Sequence, residues 1–88
     1  MIKPILKIFK KENINNIKIK KEFLDSPPKR EKMIQKWNIY TATGKFKDEI
    51  VIDNNNYLID GYTTYLMCKT LNKKIVKVRR VNNSLWII

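Results

Sequence analysis

The chain has 88 residues, 43% of them hydrophobic, and 19 Lys+Arg against 8 Asp+Glu give a net charge of +11, so one small core sits in a strongly basic shell. It has no His and a single Cys, which excludes an internal disulfide, histidine ligation of a metal and the Cys–His or Ser–His nucleophile arrangements. No apolar run approaches the ~20 residues that a membrane span needs, and the N-terminus lacks the long uncharged core of a secretory signal, so the expected setting is the cytoplasm, with no membrane partner.

AT-rich coding would inflate Lys, Asn and Ile together. The same bias would also favour Glu and Asp, which are scarce. The excess charge therefore reads as an electrostatic footprint for a phosphate-bearing polymer.

In chain order, Ile2, Ile5, Leu6 and Phe9 fall at helical spacing with Lys3, Lys7, Lys10 and Lys11 opposite, yet residues 5–9 also suit a strand. Residues 17–23 alternate, with Ile17, Ile19 and Phe23 inward and Lys18 and Lys20 outward. With an Asn-rich turn over residues 12–16, the favoured reading is an N-terminal hairpin. Asp25-Ser26-Pro27-Pro28 is a helix start, Asp25 or Ser26 capping and Pro occupying the first turn. That helix is expected to reach about Tyr40, burying Met33, Ile34, Trp37 and Tyr40, and Gly44 is its left-handed terminator.

Strands over residues 49–52 and 57–59 flank the turn Asp53-Asn54-Asn55-Asn56. After Asp60-Gly61 a helix fits residues 62–71, with Cys68 as a small buried residue and Asn72 as the stop. Residues 75–81 alternate, Val76 and Val78 on one face and Lys77 and Arg79 on the other. Asn82-Asn83-Ser84 then turns into a last strand, residues 85–88. The result is a single α+β domain over residues 1–88, a mixed sheet with two main helices.

The segment YLIDGYTTYLMCKTLN (residues 57–72), followed by Ile75-Val76-Lys77-Val78, resembles the ParB/sulfiredoxin-like domain, with the similarity extending over residues 17–81. In that family a strand ends in Gly, a Gly-x-Arg-Arg segment holds the phosphates of CTP or ATP, and an apolar helix and a strand follow. Here the segment is Gly61-Tyr62-Thr63-Thr64. The resemblance implies a phosphate site at Gly61, Tyr62, Thr63 and Thr64, made of backbone N–H groups and two hydroxyls. Without the guanidinium pairs, which form hydrogen bonds about twice as strong as neutral ones, it suits a nucleic-acid phosphate better than a nucleotide cofactor, and none is expected. In sulfiredoxin the catalytic Cys follows the motif's Gly. Tyr62 stands there in this chain, and Cys68 lies inside the helix, which argues against sulfiredoxin activity.

Lys18, Lys20, Lys69, Lys73, Lys74, Lys77, Arg79 and Arg80 are the candidate nucleic-acid-binding residues, with Lys21 beside the first two. Too few Arg, Asn and Gln stand at recognition-helix spacing to read bases, so the expected contact is with the phosphate backbone. Asp48, Glu49, Asp53 and Asp60 are the one carboxylate cluster that could hold Mg²⁺. The leading expectation is a small non-enzymatic nucleic-acid-binding protein of the kind carried by plasmids, phages and other mobile elements. The alternatives are a phage-type inhibitor that docks on a protein–nucleic acid machine, and a metal-dependent nuclease.

Overall fold

A computed structural model describes residues 9–81. The elements are strand β1 (Phe9–Asn13), a 3₁₀ turn (Ile14–Asn16), helices α1 (Lys21–Asp25) and α2 (Arg30–Thr43), strands β2 (Ile50–Ile52) and β3 (Leu58–Asp60), helix α3 (Tyr62–Thr70) and strand β4 (Ile75–Arg80). The four strands form one mixed sheet in the order β1-β4-β2-β3, an α+β architecture. β4 is parallel to β2, with Ile50 level with Val78, and antiparallel to β1, with Lys11 opposite Lys77. β2 and β3 are antiparallel, with Ile52 opposite Leu58.

Parallel pairing of β2 with β4 requires a crossover. β3 and α3 supply it, which is why the chain turns sharply at Asp60-Gly61. The alternation expected in β4 is present: Val76 and Val78 are buried, Lys77 is exposed and Arg79 half-buried. Ile50, Ile52, Leu58, Val76 and Val78 meet Tyr65 and Cys68 of α3 and Ile14 and Ile17 of the N-terminal segment in one core. Asp53 fixes the β2–β3 turn, its Oδ1 accepting from Asn55 N at 2.8 Å and Tyr57 N at 2.9 Å, and Asn56 takes the left-handed conformation, φ 70°. Asn72, also left-handed at φ 59°, follows α3 where a stop was expected.

The N-terminal hairpin does not form. β1 pairs instead with β4, whose six residues offer a longer edge. Residues 17–23 keep only a single bridge from Lys18 to Tyr57 before winding into α1, where Lys21 and Asp25 pair at 2.7 Å one turn apart. Ile17 is nonetheless buried, and Ile19 and Phe23 pack on the core, so the inward residues are those expected.

α2 starts later than its proline signal. Ser26 and Pro27 each precede a proline and so resist the helical region, which moves the cap to Lys29, without any side-chain bond. It also runs on to Thr43, where Gly44, φ 75°, donates its N–H to Tyr40 O at 2.7 Å. Its expected apolar face is only half-buried at Met33, Trp37 and Tyr40, and Ile34 is 48% exposed. The segment before Phe9 and the expected strand 85–88 lie outside the described residues.

Candidate nucleic-acid interface

Gly61 is where β3 hands the chain to α3. It is buried, its φ is 88°, and a side chain there would run into the carbonyl of Glu49 on β2. No side chain caps α3: the Asp60 carboxylate accepts from Gly61 N at 2.9 Å, and Thr64 Oγ1 donates to Asp48 O at 2.9 Å. The first turn of α3 opens on a cleft of about 220 Å³ bounded by Phe23, Ser26, Pro28, Lys32 and Asp60 as well as Gly61, Tyr62 and Thr63. Thr63 is only 6% exposed, and its hydroxyl has no hydrogen-bond partner. Every sealed polar side-chain atom among the described residues has one, so the Thr63 oxygen faces the cleft. Asp48 and Asp60 line this cleft against one cation, Lys32, so an anion gains little from charge there.

The carboxylates are spread and occupied. Asp48 pairs with Lys36 at 2.5 Å, Glu49 with Arg79 at 2.8 Å, and Asp53 holds its turn. Among the described residues no three His, Cys, Asp or Glu side chains group together as metal ligands.

The basic residues divide into kinds that charge counting cannot separate. Arg80 turns inward, donating to Asp53 O at 2.9 Å, Asn56 Oδ1 at 2.7 Å and Glu12 Oε1 at 3.1 Å, so it serves as a strut between β1, β4 and the β2–β3 turn. Arg79 is half-buried on Glu49. Lys18 and Lys20 are exposed and lie over the Tyr57 ring, 5.2 and 5.6 Å from its centre, at the outer edge of β3. In the sheet, β2 and β3 stand between them and β4. Lys69, Lys73 and Lys74 are exposed around the end of α3, and Lys77 follows on β4.

Two lysines join this last group that sequence reasoning did not select. Lys11 faces Lys77 across the β1–β4 pair, a register visible only once the strands are paired. Lys45, just past the end of α2, rims a second cleft of about 480 Å³ together with Lys73 and Lys77. Its floor is apolar, built from Phe46, Ile50, Cys68 and Val76. Burial pushes the Cys68 thiol above its ordinary value of 9.0, against the opposing pull of Lys73, so the thiol is neutral and behaves as part of that floor. Burial likewise raises the Tyr65 hydroxyl, with Tyr62 adding to the shift.

This arrangement of a Gly-led helix crossing between parallel strands matches solved structures. One is described as the C222₁ form of a Pnob8-like ParB-N domain, at 25% identity and a TM-score of 0.66 over 83% of this chain. Another is a pNOB8-like ParB N-domain, at 25% identity and a TM-score of 0.64 over 85% of this chain. The chain spans less than a third of those structures, 29% and 28% of their lengths. It has a ParB-like fold. No protein-family model and no curated protein matches it. No helix among the described residues is long and apolar enough to cross a membrane.

Proposed function

We propose that this chain is a non-enzymatic protein that binds nucleic acid through the phosphate backbone. The observation that carries the reading is the lysine group Lys69, Lys73, Lys74, Lys77 and Lys11, which lines the end of α3 and the adjoining β4–β1 edge. Asp48 and Glu49, which share a cleft lining with Lys73, are engaged by Lys36 and Arg79, and no ion pair among the described residues involves Lys11, Lys69, Lys73 or Lys74. Lys18 and Lys20 form a second set of phosphate contacts. Gly61, Tyr62, Thr63 and Thr64 supply at most one more, through N–H groups and the Thr63 hydroxyl. That cleft's two aspartates and its lack of arginines disfavour a nucleoside triphosphate.

The test is fluorescence anisotropy of labelled single-stranded DNA, duplex DNA and RNA across a salt series. A slope of log K against log salt of about −3 to −6 corresponds to roughly four to seven phosphate contacts. Lys73→Ala/Lys74→Ala should lower the slope by about 1 to 2 and weaken all sequences alike. Arg80→Ala should instead act on stability. No binding at low salt to any of the three ends this reading.

A second reading, docking on a protein–nucleic acid machine, draws on the exposed apolar side chains Leu24 and Ile34 of the helical layer, 59% and 48% accessible. Tight capture of one protein without affinity for free nucleic acid would favour it.

A further inference from the structure

The lysine-rimmed cleft has a size and a chemistry that backbone contacts alone do not use. At about 480 Å³ it lies within the range of small-ligand sites, roughly 300–1,000 Å³, and it combines an apolar floor with cations at its mouth. A purely electrostatic phosphate track needs no such floor.

Phe46 is the aromatic member of that floor. One face of its ring is stacked on Tyr40, with centres 4.6 Å apart and planes 18° apart, which fixes its orientation. Phe46 also packs against the core and forms part of the cleft lining. Thr64, also in the lining, spends its hydroxyl proton on Asp48 O, so its oxygen is left as an acceptor for an amino or imino N–H. The two carboxylates of the lining are committed to Lys36 and Arg79. Neither Lys45 nor Lys73 pairs with a carboxylate among the described residues. The cleft thus offers an aromatic surface, an apolar bed, an acceptor and two cations, which together complement a nucleobase flanked by phosphates.

We propose that this cleft takes one unstacked base of a single-stranded nucleic acid, packed against Phe46, with the neighbouring phosphates on Lys45 and Lys73. The proposal rests on the nucleic-acid reading above and adds to it a strand preference. Bases of a duplex are paired and stacked, and extruding one costs free energy that a single strand has already spent.

The experiment compares a short single-stranded thymidine oligomer, an abasic chain of the same length and a duplex, by anisotropy at one low salt concentration with the full chain. The oligomer should bind on the order of tenfold more tightly than the abasic chain, the size of one base–aromatic contact. Phe46→Ala should bring the oligomer down to the abasic level. Because Phe46 also packs on the core, Phe46→Leu provides a second arm: it keeps an apolar side chain against the core and removes only the ring. It too should reduce the oligomer to the abasic level. Equal affinities for oligomer and abasic chain, or a duplex that binds more tightly than the oligomer, would overturn the cleft proposal while leaving backbone binding intact. No binding to any of the three would overturn both readings together.

Discussion

Two glycines sit in the same left-handed region and have different work to do. Gly44, φ 75°, ends α2 with open space around the position where a side chain would be. Gly61, φ 88°, lies against the β2 backbone, and an added Cβ would meet the Glu49 carbonyl and Ile50 Cα. The first position needs glycine for its dihedral alone, the second for its dihedral and for the close approach of α3 to the sheet. Gly44→Ala should therefore cost about 1 kcal/mol, the left-handed penalty of an L-residue. Gly61→Ala adds a backbone collision and should cost at least about 2 kcal/mol more. Urea unfolding of both variants tests the contrast. Equal losses would mean that α3 can shift off β2 without penalty, and the tight turn would then not be what positions the Thr63 hydroxyl.

At the scale of elements, α2 is the weakly held one. Its 14 residues include none that is fully buried, and its visible anchors are Lys36 on Asp48 and Tyr40 on Phe46. β2, by contrast, is buried at every residue. Amide exchange should follow suit, with α2 opening at a lower free energy than β2 and β4, and Phe46→Ala lowering α2 protection further. Protection of α2 that is lost only on global unfolding would contradict this.

The same contrast explains what could be read in advance. The β2 turn, the Gly61 start of α3 and the β4 alternation rest on local chemistry: Asn and Asp turn residues, a glycine at a sharp switch, and period-two burial. Residues 17–23 carry a strand pattern, yet their backbone follows the pairing of β1 with β4, a long-range choice no local window contains. The ParB-like framework was legible from residues 57–78. At the candidate interface, the number of cations could be counted in advance but their directions could not. Arg79 and Lys77 look alike in sequence. Only the fold puts Glu49 beside Arg79, points Arg80 at Asn56 and Glu12, and brings Lys45 from the end of α2 to Lys73.

For the molecule as a whole, a charge of +11 on 88 residues sets two properties against each other. Like charges crowded on a small surface raise the free energy of the folded state relative to the expanded chain, and salt screens that repulsion, with a Debye length of about 30 Å at 0.01 M and 8 Å at 0.15 M. Ion pairs such as Lys21–Asp25 and Arg79–Glu49 are weakened by the same screening, but exposed pairs contribute only ~0–1 kcal/mol each, and the four among the described residues are few beside 19 Lys+Arg. The melting temperature should therefore rise between 0.01 and 0.15 M sodium chloride, by roughly 4–8 °C for each kcal/mol of repulsion removed. Affinity for nucleic acid should fall over the same interval, because counterions released into a saltier solution gain less entropy. Replacing chloride with sulfate at equal ionic strength separates screening from binding. If the lysine clusters hold phosphate-like anions, sulfate stabilises beyond chloride by mass action, and the excess shrinks in Lys73→Ala/Lys74→Ala. A melting temperature that falls with salt would mean that the paired charges outweigh the unpaired ones, and that the basic surface is balanced within the fold instead of being left open for a polyanion.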